Sequence, residues 1–381
     1  MKDLKNINKH GIIWNTILAS AFVIVSLYHY QSKNMKTYSL YDTLDNYGFS
    51  TIEQKEAIEN LMHKSSIIAM DESLQDKFPV RRDYKELVKD ILEFVRLTQE
   101  HLTIRTGSQE RWEVKPPEWM MQNIEENFQN LKILGFVDAI KPTNTTIDTL
   151  CVLGSTMKGM ENRINYSDLL YKDGLQVKSI ILLAGERKVA LGVDGTKEEL
   201  TKIAADFQVD FSRLTETHLI EEVYKNSHLH NKLPTYIIDT KAGDLPRPTT
   251  QTTILELIKW LKQHEDITNI TFVSNQPYVK YQEAVIKEVL RNSNFPMDFE
   301  VVGSARSEKE QIKAVIEALG SYIFAKTPDV LLTLNKTIDN PDLTLMSSFK
   351  ELYAKQPLVY HNLETLFHHD AVEITGSSNN H

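Results

Sequence analysis

Glu186 and Arg187 stand side by side in "AGERK" (184–188), at the end of the apolar run "VKSIILLAG" (177–185). A carboxylate next to a guanidinium at such a place can grip a polar ligand, or can be a plain surface ion pair. Glu186 is the candidate acid or base of the chain. A second group lies in "DLPRPTTQTT" (244–253), where Arg247 precedes Thr249, Thr250, Thr252 and Thr253. Pro248 sets the entry to a helix, Thr249 or Thr250 caps it, and Thr253 with Glu256 forms a further capping pair. Capping uses one threonine. The others, beside Arg247, make an edge suited to an oxyanion or a hydroxyl, because a helix start presents free amides.

A third group is "TFVSNQPYVKYQ" (271–282). Ser274 suits a helix cap and Pro277 a first turn, which leaves Asn275, Gln276 and Tyr278 as one wall of a binding cup. The fourth is "GSTMKGMENR" (154–163). It falls short of a phosphate loop, since Met160 follows Gly159 where lysine is required, and it is not a GxGxxG fingerprint. Gly154 and Ser155 form either a tight strand-to-helix turn or an anion-holding one, with Arg163 further into the helix. Arg163, Arg187 and Arg247 would together hold the anionic part of a ligand. Glu198 and Glu199 open the next helix, where acids favour its positive end.

Several chemistries are absent from the 381 residues. There is no HExxH, no Cys-x-x-Cys and no G-x-S-x-G. "HLH" (228–230) and "HHD" (368–370) lack a further ligand at metal-site spacing, so no metal site is assigned. No cofactor fingerprint is present, and nothing signals an oligomeric state. The net charge of -9, with no basic block, argues against a nucleic-acid partner. One cysteine, Cys151, excludes an intrachain disulfide framework, and its apolar surroundings predict burial.

The elements that must position these groups follow from periodicity. Short, continuously apolar runs at 146–154, 177–185, 235–239, 269–274 and 299–303 read as strands buried on both faces of a parallel sheet. They alternate with helical patterns at 160–174, 196–207, 215–227, 248–264, 278–292 and 307–325. This rhythm predicts an α/β fold: an open, doubly wound, mostly parallel five-stranded sheet, Rossmann-like, spanning 146–326. Ligands of such sheets bind at the strand carboxyl ends, near the point where strand order reverses. Residues 31–145 read as a helical module, with helices at 50–64, 83–102 and 116–134. Residues 327–381 form an extension with a disordered end.

Residues 1–30 carry Lys2, Lys5 and Lys9 ahead of an apolar stretch from Ile12 to Tyr30. Its length, and the aromatics Trp14, Tyr28 and Tyr30 near its ends, predict a membrane anchor over 12–30. The leading lysines favour a single pass through a bacterial inner membrane, with the bulk of the chain facing the periplasm. A cleaved signal and a buried soluble helix are the alternatives.

The series "VLGSTMKGMENRINYSDLLYKDG", "ILLAGER", "RPTTQTTILELIKWL" and "FVSNQPYVKYQEAVI" resembles, in order, the SanA/YdcF-like family of envelope-associated bacterial α/β proteins. It is more similar still to a group of proteins of intracellular bacteria that share "GER", "RPTT" and "SNQPY". The resemblance covers roughly residues 147 to 305. It implies a ligand cup of Gly154, Arg163, Gly185, Glu198 or Glu199, Thr250 and Ser274. Two departures stand out. Thr253 takes the place of an asparagine, and Pro277, Tyr278, Lys280 and Tyr281 occupy the region where the family has a histidine and an arginine.

These readings converge on a membrane-anchored α/β protein that binds, and can modify, a small polar or phosphorylated envelope-related metabolite. The alternatives are a non-catalytic envelope-maintenance scaffold and a cytosolic nucleotide-binding enzyme.

Overall fold

The computed structural model describes residues 36–103, 114–245 and 247–336. The expected anchor at 12–30, the "HHD" cluster and the tail after Lys336 lie outside these residues. No helix among the described residues is long and apolar enough to cross a membrane.

The first part of the chain forms α1 (Leu40–Thr43), α2 (Ile52–Lys64), α3 (Leu74–Lys77), α4 (Tyr84–Leu102), α5 (Glu118–Met121) and α6 (Ile124–Ile133). The sheet part follows as β1 (Thr146–Leu153), α7 (Met157–Lys172), β2 (Gln176–Gly185), α8 (Lys197–Asp206), α9 (Glu216–Lys225) and β3 (Thr235–Thr240). It continues with α10 (Thr250–Leu261), β4 (Asn269–Asn275), α11 (Val279–Asn292), β5 (Asp298–Ser304) and α12 (Ile312–Lys336). Thr51 with Gln54 and Thr196 with Glu199 close capping boxes that start α2 and α8.

All five strands are parallel, in the order β3-β2-β1-β4-β5. The chain builds outward from β1 to β3, then crosses back to place β4 on the other side of β1. The switch point therefore falls between β1 and β4. Alternating side chains feed two cores. Leu150, Val152, Ile180 and Leu182 meet Met160, Leu200 and Leu219 of α7, α8 and α9 on one face. Cys151, Leu153, Ile181 and Phe272 meet Ile254, Leu257 and Ile286 of α10 and α11 on the other. Cys151 is buried, which pushes its thiol up in pKa. The expectation of strands covered on both faces fails at β3, an edge strand whose Tyr236 and Ile237 are exposed.

The helical module does not close on itself. Its core takes Ile316, Leu319, Ile323 and Leu331 from α12 alongside Ile58, Leu61, Ile91 and Phe94. Gly320 permits the close approach, since a Cβ there would lie 3.0 Å from Thr103 Oγ1 and 3.1 Å from Leu102 Cβ. The sequence pattern stops at 325 because Pro328 ordinarily ends a helix. Here α12 runs through Pro328 to Lys336, held by the burial of Val330 and Leu331 beyond it.

The single helix expected over 116–134 is broken in two. Asn123 takes a left-handed conformation (φ 53°), and Asn127 Nδ2 donates to the carbonyls of Trp119, Met120 and Gln122 at the break. Periodicity misses this because both halves keep their apolar positions.

The connection out of the module is clamped over one half of the sheet's carboxyl end. Ile140 and Gly303 form an antiparallel bridge, and Arg306 N donates to Val137 O at 2.8 Å. Gln276 Nε2 donates to Asp138 O at 2.8 Å and Gly135 O at 3.2 Å. Lys280 Nζ donates to Leu134 O at 2.8 Å and sits 5.5 Å from the ring centres of both Phe49 and Phe136, where burial lowers its pKa. The ends of β4 and β5 are thus covered by residues 134–140.

Candidate functional site

The turn after β1 sets the floor of the site. Thr156 caps α7. Met157 N, at that helix start, donates to Asp194 Oδ1 at 3.1 Å. The anion expected at this turn is therefore the chain's own Asp194, brought in by the loop after β2. Asp194 also receives Ala190 N at 2.8 Å and both terminal nitrogens of Arg187 at 2.9 and 3.0 Å. Burial alone would raise its carboxyl, but these bonds hold it below the ordinary carboxylate range. Arg187 donates in addition to Ser155 O at 2.9 Å.

Arg163 reaches back from α7 to the switch point. Nε donates to Asn275 Oδ1 at 2.8 Å, at the end of β4. Nη1 donates to Leu153 O at 2.8 Å and to Gly154 O, at the end of β1. Its Nη2 makes no hydrogen bond to any described residue. The side chain is only 2% exposed, and burial lowers it to about 10 against the opposing pull of Glu216. A guanidinium is held this way because its planar fork satisfies three acceptors at once.

Glu216 completes the cluster. It is the first residue of α9, and its N–H donates to Arg187 O at 2.9 Å. Its carboxyl lies against Gly154, where a Cβ would meet Oε1 at 2.6 Å; this is why the turn needs a glycine. Arg187 Nε is 3.9 Å away, beyond hydrogen-bond reach. The residue is 9% exposed. Burial raises it to about 7, against the pull of Arg187, Arg163 and Arg247. Arg187 stands between the two carboxyls, hydrogen-bonded to Asp194 and in a looser ion pair with Glu216.

The residues expected to act divide clearly. Gly154, Ser155, Arg163, Arg187, Arg247 and Asn275 come together around Glu216 or its immediate neighbours. Gly185 stands beside them as a packing residue, since a Cβ there would lie 2.7 Å from both Thr240 O and Pro248 Cγ. Glu186 instead pairs with Lys241 at 2.9 Å and accepts from Ala242 N at 3.3 Å, while Arg187 pairs with Asp194. Glu198 is exposed in the first turn of α8 and shares none of the cluster's hydrogen bonds. Glu199 closes the capping box with Thr196.

Thr249 caps α10 through Thr252 N, and Thr253 Oγ1 donates to Thr250 O at 2.9 Å. The Thr253–Glu256 capping pair is not formed; Glu256 pairs with Lys259 at 2.9 Å. Thr250 lies in the first turn of the same helix, half-buried.

The reading of Ser274 as a helix cap is corrected. β4 runs on through Asn275, so Ser274 is still a strand residue, and its hydroxyl donates to Gln282 Oε1 of α11. Tyr278 stands at the N-cap of α11 without a side-chain cap, and the Gln276–Pro277 peptide bond is cis, outside the helix. Gln276 is taken up by the 134–140 clamp, and Tyr278 packs on the helical core. Of the expected wall, Asn275 is hydrogen-bonded to Arg163, and Tyr278 lies close enough to act on the same guanidinium.

Glu216 and Asp194 were not singled out by sequence. In "LTETHL", a glutamate after a capping threonine reads as an ordinary helix-start acid. Asp194, in "VDG", reads as a turn residue. No protein-family model, curated protein or solved structure matches this chain.

Proposed function

We propose that the protein binds a small metabolite through an oxyanion, phosphate or carboxylate, at the carboxyl ends of β1 and β2 beside the β1–β4 switch point. The observation that carries this reading is a buried carboxyl, Glu216, raised to about 7 by burial and paired with Arg187 at 3.9 Å, where Arg163 and Arg247 also act on it. Guanidiniums gathered in a desolvated setting favour an anion far more than they would in water. Arg163 and Arg187 are fixed by their other bonds, and Arg247 comes from the half-buried entry to α10. Glu216, titrating near neutrality, is the group able to hold or deliver a proton, and any modification of the ligand would use it.

Inorganic phosphate is expected to raise the melting temperature of the full chain, by the usual mass action of a native-state ligand. Arg247→Ala is expected to weaken that binding by about tenfold or more, the worth of one charge-assisted contact. If phosphate, pyrophosphate and citrate all leave the melting temperature unchanged, the site reading fails and the scaffold reading stands.

The same proposal places the protein on a bacterial inner membrane through residues 12–30, as an envelope protein related to the SanA/YdcF-like family. Its support is the length and flanking aromatics of that segment. The expected result of fractionation is a membrane pellet that resists a salt wash. Recovery in the soluble fraction would remove the anchor.

A further inference from the structure

We propose that the turn between α3 and α4, residues 77–82, docks on the surface of an anionic bilayer, with Pro79 and Val80 against the lipid and Lys77 and Arg82 on its phosphate headgroups. This rests on the membrane reading above and extends it. The folded part of the chain is held against the membrane at a defined spot instead of swinging free on its anchor.

The turn is fixed at both ends. Phe78 is buried in the helical core, edge-on to Phe94 at 6.2 Å between ring centres. Arg81 exchanges both backbone hydrogen bonds with Tyr38, at 2.8 and 2.7 Å, and its guanidinium grips Asp90 at 2.7 and 2.9 Å. Between these points Pro79 and Val80 face solvent, Val80 with 58% of its surface exposed. One exposed valine is ordinary on a protein surface. This one is flanked by Lys77 and Arg82, both exposed, and backed by Tyr38 and Tyr84, half-buried and edge-on at 5.9 Å between ring centres. An apolar tip between cations, with aromatics behind it, suits a headgroup boundary. The apolar atoms leave water there while the cationic side chains extend to the phosphates.

Charge and tethering both favour the bilayer. The acids of this surface serve the fold: Asp76 accepts from Ser73 N and Asp83 from Lys85 N, each at 2.9 Å and at a helix start. Asp90 is taken by Arg81, Glu86 by Lys89 and Glu93 by Arg96. Lys36, just before Tyr38, adds a further exposed cation. Tyr38 also marks where the expected anchor delivers the chain. Residues 31–37 join the apolar stretch to it, and a chain of that length reaches about 30 Å at most. With residues 12–30 in the bilayer, the turn stays within that distance of the headgroups. Such confinement raises the local lipid concentration, so a contact too weak to hold a free protein is enough.

Val80→Cys, labelled with a polarity-sensitive fluorophore, reads the contact; Cys151, the chain's own thiol, is buried and inert. The full-length labelled protein is incorporated into vesicles of phosphatidylcholine alone, and into vesicles of phosphatidylcholine with phosphatidylglycerol. The emission is expected to shift to the blue in the anionic vesicles only. Adding Lys77→Ala and Arg82→Ala is expected to lower the docked-to-undocked ratio about 25-fold, roughly fivefold for each cation. Flotation with both kinds of vesicle while the emission stays unshifted overturns the proposal, leaves the anchor reading intact and turns the tip over to a protein partner. An equal shift in the neutral vesicles overturns it too, as does a shift that survives the double alanine change. No flotation with either kind of vesicle overturns the anchor reading, and the proposal with it. The labelled single variant decides the question even without the alanine changes.

Discussion

Arg163→Met is expected to cost the folded chain about 3 kcal/mol, read as a loss of urea-unfolding free energy at neutral pH. Methionine fills a similar volume and removes a charge whose burial is itself unfavourable, as the lowering of Arg163 to about 10 shows. That relief works in favour of the variant. Against it stand three acceptors that lose the guanidinium as donor: Asn275 Oδ1 and Leu153 O, both buried, and Gly154 O, part-buried. Each orphaned acceptor costs about 1–3 kcal/mol, so their sum outweighs the relief. Arg163→Lys should recover only part of the loss, since an ammonium on a flexible stem cannot reach acceptors on two strands at once. A loss under about 1 kcal/mol in Arg163→Met would mean that the strand ends hold together without it. In that case Arg163 would be a ligand group alone.

Glu216→Gln is expected to stabilise the unliganded chain relative to wild type, by an amount that grows with pH. The Glu216 carboxyl is raised from 4.5 to about 7 in the folded protein, chiefly by burial. Below the ordinary value the acid is neutral in both states and contributes no difference. As pH rises through that interval, the unfolded chain ionises freely while the folded chain holds its proton or ionises in a dry niche. Stability is lost across the interval, by about 3 kcal/mol in all. Gln has the shape of the neutral acid and no such loss.

Asp148 works in the opposite sense. Burial alone would raise it, but Lys178 and the Thr268 and Asn269 amides hold it at about 2, so its contribution disappears as pH falls through the acid range. The wild-type stability curve is therefore a dome, and only its difference from Glu216→Gln isolates Glu216. Parallel curves for the two proteins from about pH 4 to about pH 8 would show that Glu216 ionises without penalty.

Much of the architecture was readable along the chain. The apolar runs at 146–154, 177–185 and 269–274 are β1, β2 and β4 to within a residue at each end. Their boundaries are set by local matters: β-branched runs, capping threonines and glycines that turn the chain. Where reading failed locally, a longer-range contact intervened. Ser274 has the chemistry of a cap, yet β5 pairs with β4 as far as Asn275 and keeps it in the sheet. Gln276 has the chemistry of a ligand amide, yet residues 135–138 claim it. Glu186 and Glu216 are equivalent as glutamates near a strand end or a helix start. One turns outward to Lys241, and the other is pressed inward against Gly154.

Sequence by itself determined the α/β class, the alternation of strands and helices, and that polar groups would gather at the strand carboxyl ends. Those properties depend on the spacing of neighbouring side chains, which periodicity reports directly. Only the tertiary structure decided which polar groups meet. Residues 163, 187, 216 and 275 become neighbours because β4 inserts beside β1 rather than beyond β3, and because the 134–140 segment closes over the ends of β4 and β5. Strand order arises from the packing of whole faces, not from any local pattern. It turned a glutamate that reads as a helix-start acid into the buried acid of the site.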